Sequence, residues 1–412
     1  MTETEIVSQV SEPLFNPFAP GFTDDPYPHY ARVRAVEPVH ADRFGYWLLT
    51  GYEEVSWLLR AGLSVEDRNI GAGPMRELRE SLFGDHEAVP VSGLSMLDRD
   101  PPDHTRLRKL VSKAFTPRAI EALRPRITAL VNEMLDDVAA AGQVDLVDAF
   151  AFPLPFAVIA EMMGTPPADH QRIRELSGTV VRSLEPVADP ELANAIVAAD
   201  AALSEIAAEM IAWKRANPAD DLLTALINAE DDGDVLDDNE LIAQTLLLYI
   251  AGHETTVNLI GGGTLALLTH PAQLARLREQ PDLVPGAVEE LLRYDSPVQA
   301  SRRITLEPIT LRGIEIPAGG FIMASLAGAN RDEEFWGPDA DELDVTRPNA
   351  RQHVSFGGGP HHCLGASLAR LEASIAFEHL ITRFPNLRLD GDVVWNGRFN
   401  LRGPARLPVA VN

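Results

Sequence analysis

Phe356-Gly357-Gly358-Gly359-Pro360-His361-His362-Cys363-Leu364-Gly365 carries the only cysteine of a 412-residue chain. The stretch delivers one thiol to the start of a predicted helix that runs on through Ala366-Ser367-Leu368-Ala369-Arg370-Leu371. A thiol ligates metal as thiolate, and the amides opening a helix present partial positive charge. Ionisation of Cys363 is therefore expected to be easier than in an apolar core. Gly357, Gly358 and Gly359 let the backbone turn sharply beside a flat ligand, and Gly365 removes a side chain just beyond the sulfur. A lone cysteine is ordinarily a small buried hydrophobe; the fixed spacing around this one argues for a ligand.

One thiolate with no second cysteine cannot build a tetrahedral zinc or iron–sulfur site, so the remaining metal ligands must come in a macrocycle, for which haem is the economical choice. A phosphate-cradling reading of the glycines fails because no Gly-Lys-Ser/Thr follows them. The spacing Phe-Gly-x-Gly-x-His-x-Cys-x-Gly, from Phe356 to Gly365, resembles the haem-ligand loop of the cytochrome P450 family, in its soluble bacterial, actinobacterial-like class. The resemblance implies a mainly α fold with a small β region. Haem b (iron protoporphyrin IX) would lie between a long central helix and the cysteine-loop helix, with Cys363 as the iron ligand and Phe356 and Gly365 beside the ring.

From Asp237 to His270 the pattern predicts one long helix, opened by the capping pair Asp237 and Glu240 and closed by His270-Pro271. Its apolar residues lie on all sides, so it is expected to be buried. Polar residues in its middle are then expensive, yet Ala251-Gly252-His253-Glu254-Thr255-Thr256 stands there. Val257 occupies the place of a second histidine, which removes a His-Glu-x-x-His zinc reading. Thr255 and Thr256 bonding back to carbonyls one turn earlier is a purely structural alternative. An acid followed by a hydroxyl, next to a glycine that permits a local bulge, suits a proton relay. The segment resembles the family's oxygen-activation motif, which implies that Thr255 hydrogen-bonds the oxygen and Glu254 feeds protons from water.

His104 and Arg108 are predicted on one helical face, at i and i+4. The resemblance assigns both to the haem propionates, together with Arg303 and His361, while the neighbouring Arg302 could exchange roles with Arg303. Glu290 and Arg293, at i and i+3, would form with Arg347 a structural triad behind the haem loop. Substrate would meet the Ala61 to Met96 loop, residues near Val180 to Val187, Leu247 and Ala251 of the long helix, Val298 to Ala300, and Phe399-Asn400. These are mostly apolar, which favours a lipophilic ligand, and no carboxylate-binding arginine is evident among them.

The composition places limits on the function. With 61 acidic against 35 basic side chains the net charge is -26, which disfavours nucleic acid and anionic membranes as partners. No linker or repeat interrupts the chain, so residues 1–412 are expected to form a single domain. Met1 to Pro20 reads neither as a signal peptide nor as a membrane anchor, and a single cysteine agrees with a reducing cytoplasm. Between Pro101 and Arg126 the bases Arg106, Arg108, Lys109, Lys113, Arg118, Arg124 and Arg126 outnumber Asp103 and Glu121, a local surplus expected to receive an acidic partner.

Helical patterns dominate from Pro101 to Pro297, whereas Ile304 to Leu326 alternates short β-like runs with turns. The resemblance covers essentially the whole chain and implies a monooxygenase that hydroxylates or epoxidises a lipophilic small molecule with O2. No Gly-x-Gly-x-x-Gly lies between a strand and a helix, so electrons from NAD(P)H must arrive through a separate ferredoxin and ferredoxin reductase. Two alternatives compete: a peroxide-driven enzyme of the same fold and a non-catalytic haem-binding sensor. Neither needs the pair Glu254 and Thr255.

Overall fold

The computed structural model describes residues 13–84, 92–113, 115–165, 170–185, 187, 189–231 and 233–412. The helices that build the site are α1 (Asp103–Ser112), α2 (Pro153–Met163), α3 (His170–Val180), α4 (Pro190–Ala216), α5 (Asp238–Thr269), α6 (Val284–Tyr294) and α7 (Ala366–Arg383). Helix α5 begins with a reciprocal capping box: the Glu240 amide donates to Asp237 Oδ1 (2.8 Å) and the Asp237 amide donates to Glu240 Oε2 (3.1 Å). It ends at His270, where Pro271 opens the next helix. At 1.5 Å per residue it runs about 48 Å.

The all-round apolar character of α5 follows from its packing. Leu241, Leu246, Leu248 and Tyr249 join a cluster with Phe156 of α2, Ile173 of α3 and Leu203 of α4. Farther along, Ile260 packs with Leu135, Phe150 and Leu380. Leu259 and Leu267 face Leu291 of α6 and Phe377 of α7. A helix that feeds three clusters in turn has no solvent face to make polar.

The main sheet holds β1 (Val39–Ala41), β2 (Tyr46–Leu49), β3 (Ala300–Ile304) and β4 (Phe321–Ser325), in the order β1-β2-β4-β3. Strand β2 runs parallel to β4, with Trp47 opposite Ile322, and β3 runs antiparallel to β4. Beside it, the hairpin 309–316 turns on Arg312 (φ 47°) and Gly313 (φ 80°), a left-handed pair that matches strand twist. The β region extends beyond the predicted Ile304 to Leu326, to the strands at 39–49 and to short pairs after 388. Strands of two to four residues carry no readable alternation. Among the described residues no helix is long and apolar enough to cross a membrane.

Candidate functional site

The cysteine loop is a closed backbone turn. The Cys363 amide donates to the Phe356 carbonyl (2.9 Å) and the Gly357 amide to that of Val354 (2.8 Å). Gly359 has φ +63°, and a β-carbon there would stand 2.4 Å from the Leu59 carbonyl oxygen, so only glycine fits. The Arg370 guanidinium lies 4.5 Å from the Phe356 ring centre and fixes that ring against α7. Gly365 caps α7, and a β-carbon on it would meet only the sulfur, at 4.0 Å.

Cys363 is accessible to water yet lies deep in the protein volume, so its sulfur opens on an internal space. Burial pushes the thiol pKa up, against the lowering exerted by the Gly365 amide, Arg108 and Arg370. The helix terminus and the two guanidinium groups ease ionisation relative to an apolar core, as expected, while desolvation is the larger effect and leaves the net shift upward.

On α5, Ala251 is exposed in the middle of an otherwise buried helix, and Leu247 and Thr255, four residues to either side, are half-buried. The three form one stripe. Leu364, next to the sulfur, packs on the same cluster as Leu247. Thr255 Oγ1 donates to the Ala251 carbonyl (3.0 Å) and Thr256 Oγ1 to that of Gly252 (3.4 Å). The expected bulge at Gly252 is absent, and α5 is continuous. That glycine instead admits Ile159 of α2, 3.3 Å from where a β-carbon would be.

Glu254 is not free in this arrangement. Its Oε2 accepts from Arg398 Nη1 (2.7 Å), and His253 Nε2 stands 3.5 Å from Oε1. Burial raises its pKa, but His253 and Arg398 outweigh that and hold it at about 2. The carboxylate is therefore ionised and clamped.

Two guanidinium groups and two imidazoles, of Arg108, Arg303, His104 and His361, lie with no carboxylate in ion-pair contact among the described residues. His104, 2% exposed, has both ring nitrogens buried and without a hydrogen-bond partner. Its ring centre is 4.2 Å from that of His361. Buried Arg303 donates to Ser301 Oγ (2.9 Å) and the Arg302 carbonyl (2.6 Å), with no carboxylate within ion-pair distance among the described residues. Arg302, on the other face of β3, pairs with Asp98 (2.6 Å) and Asp67 (3.4 Å). Of the two, Arg303 is thus the one left for a ligand. Arg108 Nη2 donates to the His362 carbonyl (2.7 Å).

Burial, then the charges of His104, Arg303, Arg108 and Arg302, push His361 down to about 3. Burial and Arg302 lower Arg303 to about 10. Asp100, whose charge reaches His104 and Arg303, is engaged by Ser64 Oγ (2.5 Å) and the Val65 amide (2.8 Å). Buried cations and orphaned imidazole nitrogens are costly unless an anion completes them. A flat macrocycle with two carboxylates, set between Cys363 and the Ala251 stripe, fits every one of these features.

A family model described as cytochrome P450 matches residues 188–395. Cytochrome P450 107B1 of Saccharopolyspora erythraea is 44% identical over 404 residues, covering 95% of this chain and 96% of that protein. This chain belongs to the cytochrome P450 family. The 6-deoxyerythronolide B hydroxylase of the same organism is 40% identical over 399 residues, covering 95% of this P450 and 97% of the relative. Among solved structures, P450BioI in complex with an acyl carrier protein ligated to hexadec-9Z-enoic acid superposes with a TM-score of 0.87 at 36% identity. The match covers 95% of this chain and 99% of that one. The chain is a bacterial P450 monooxygenase that uses haem b, with the mainly α fold and small β region of the family.

Behind the loop, this P450 packs a fully buried charge cluster. Arg293 meets Glu290 through two bonds of 2.7 Å, and Arg347 Nε reaches Glu290 at 3.2 Å. Arg293 also donates to the carbonyls of Asn330, Ala340 and Glu342. Beside it, Glu289 accepts from His353 (3.1 Å) and from Arg370 (2.7 and 3.0 Å). Sequence reasoning missed Glu289, His353 and Arg370, and also Arg398, which lies 144 residues from its partner Glu254. Only the tertiary fold brings those two together. It likewise overlooked Arg182, whose Nε is buried without a partner.

Two expectations fall. Phe399 is not on the α5 stripe; its ring, 6% exposed, stacks on Phe22 (5.7 Å) and meets Phe15 edge-on (6.5 Å) in an N-terminal aromatic cluster. Val298 is half-buried against the sheet cluster. The basic surplus is largely neutralised by acids from distant segments: Arg106 by Glu240, Lys109 and Lys113 by Asp231, and Arg126 by Glu161 and Glu133. Arg124 pairs with Glu121 within the stretch itself. Counting charge along the chain missed Asp231, Glu240, Glu161 and Glu133 because they lie outside the counted window.

Proposed function

We propose that this P450 takes a lipophilic small molecule into the space bordered by Leu247, Ala251 and Thr255 and inserts into it one oxygen atom of O2, by hydroxylation or epoxidation. The two electrons come from NAD(P)H through a ferredoxin reductase and a ferredoxin, in the cytoplasm. The observation that carries the reading is that Cys363 is exposed although protein surrounds it and Ala251 is exposed midway along α5, beside His104 with both ring nitrogens buried and unpartnered and buried Arg303 with no carboxylate within ion-pair distance among the described residues. The relatives' names support it: one hydroxylates 6-deoxyerythronolide B and another is seen with an acyl carrier protein ligated to hexadec-9Z-enoic acid.

Cys363 would hold the iron, and His104, Arg108, Arg303 and His361 the propionates, with Phe356 and Gly365 shaping the sulfur side. When bound, haem supplies the activation of dioxygen. The Thr255 hydroxyl is already oriented by the Ala251 carbonyl, so it presents its oxygen lone pairs toward the internal space and can pass on a proton by turning. Glu254, one residue earlier, holds a fixed negative charge that accepts a proton from water only when its clamp loosens. The apolar stripe excludes bulk water from the reacting groups. Glu290, Arg293 and Arg347 keep the loop's scaffold in place and touch nothing that reacts.

The test is the spectrum of the purified protein reduced with dithionite under carbon monoxide, with Cys363→Ser alongside. A strongly red-shifted Soret band that disappears in the variant supports thiolate ligation; its persistence in Cys363→Ser rejects Cys363 as the ligand. Substrate-dependent oxygen uptake with surrogate ferredoxin and reductase then separates a monooxygenase from a sensor, which takes up none.

A further inference from the structure

The loop between the short strands Val394–Trp395 and Pro404–Arg406 grips three other segments at once. Arg398 Nη1 holds Glu254 of α5 (2.7 Å) and its Nη2 reaches the Gly178 carbonyl, in the final turn of α3 (3.4 Å). The next two amides, of Phe399 and Asn400, both donate to the Glu185 carboxylate, at 2.6 and 2.9 Å. The loop itself is anchored on the sheet side, because Asn400 accepts from the Ala300 amide through Oδ1 (3.0 Å) and from the Gln299 amide through its carbonyl (2.8 Å). Residues 178–185 and the acid of the long helix are thus tied to one short, fixed piece of backbone.

Glu254 has a second neighbour, His253, but that ring is itself immobilised by the Tyr249 carbonyl (2.7 Å) and lies 3.5 Å away. The charge-assisted bond from Arg398 is the shorter of the two and sets where the carboxylate points. We propose that Arg398 is a positioning residue, which fixes Glu254 and couples it to the seating of residues 178–185. The proposal rests on the monooxygenase reading for its consequence. Its structural content stands on the contacts alone. Displacing residues 178–185 takes the Gly178 carbonyl from Arg398 Nη2 and the Glu185 carboxylate from the amides of Phe399 and Asn400, so the guanidinium loses the contact that fixes its other edge. The direction of the Arg398–Glu254 bond then shifts, and the seating of 178–185 and the position of the acid change together.

The experiment uses the haem-loaded, full-length protein. Hydrogen–deuterium exchange is followed at residues 178–185, and the Glu254 carboxylate stretch is assigned by infrared difference against Glu254→Gln. Arg398→Gln is expected to speed exchange at 178–185 about tenfold and to shift the carboxylate band, with Arg398→Lys restoring most of both. Glu185→Ala, which leaves Arg398 intact, is expected to shift the same band. In a Glu254→Gln background, Arg398→Gln is expected to add little further exchange. The proposal is overturned if exchange at 178–185 stays within twofold of wild type in Arg398→Gln. It is also overturned if Glu185→Ala leaves the band in place, or if Arg398→Gln acts equally in both backgrounds, which is the mark of loop packing alone. A carbon-monoxide band at the wild-type position in each variant shows that the haem pocket persists; its absence from the wild type would instead reject the haem-thiolate reading.

Discussion

Two groups of buried charges flank the cysteine loop and follow opposite rules. In the cluster of Glu289, Glu290, Arg293, Arg347, His353 and Arg370, each carboxylate meets two or more cations or donors and each arginine meets a carboxylate. In the pocket of His104, His361, Arg303 and Arg108, both ring nitrogens of His104 are orphaned and, among the described residues, the guanidinium groups donate to neutral oxygens. Both places hold arginine and histidine with buried members, but the first adds two glutamates and the second no carboxylate. The balanced cluster is completed by the chain itself, as a scaffold would be, while the unbalanced pocket is the one that we propose the haem propionates complete.

Breaking the balanced side should have the largest effect. Arg293→Met leaves the buried Glu290 with Arg347, at 3.2 Å, and without its two-bond partner, and a stability loss of about 3–5 kcal/mol is expected in thermal or denaturant unfolding. A loss under about 1 kcal/mol would show that the cluster contributes no more than a surface pair.

Glu289 sharpens the same point through pH. Burial raises its pKa, yet the bonds from His353 and Arg370 outweigh that and hold it at about 2, below its ordinary 4.5. A carboxylate depressed on folding contributes its stability above the unfolded value and loses it as the pH falls through the folded one. The stability gap between wild type and Glu289→Gln, about 3 kcal/mol at neutral pH, should therefore close between pH 4.5 and about 2. A gap that is constant over that range would mean the charge is not what holds the cluster.

On the unbalanced side the effects shift from the fold to the ligand. His104→Leu should leave the haem-free protein as stable as wild type or up to about 1 kcal/mol more so, since two buried nitrogens lose nothing they had. Haem should dissociate from it roughly tenfold faster, a loss of about 1.4 kcal/mol, as read by transfer to excess apomyoglobin. Thr255→Ala removes no charge from either group and should change stability least. It should keep the haem and divert reducing equivalents to peroxide; unchanged coupling of NADH to product would sink the relay.

The contrast also explains what the sequence could and could not tell. The cysteine loop, the long helix and the i, i+4 pair of His104 and Arg108 were legible because each is a short pattern whose chemistry is local. Arg398 with Glu254, Glu289 with Arg370, and the acids that neutralise the basic surplus are pairs between distant segments, with no spacing to read. Phe399 was misplaced because proximity along the chain to Asn400 says nothing about which side of a loop a ring takes. Arg302 and Arg303 are interchangeable in the sequence, and only the pleat of β3 distinguishes them, turning Arg302 toward Asp98 and burying Arg303.

The most direct test compares Arg303→Met with wild type in the haem-free and haem-loaded states, reading the midpoint of thermal unfolding in each. If Arg303 is a cation waiting for a propionate, the variant's midpoint stays level or rises without haem and falls with it. A fall of equal size in both states would place Arg303 with the scaffold and contradict the distinction between the two groups.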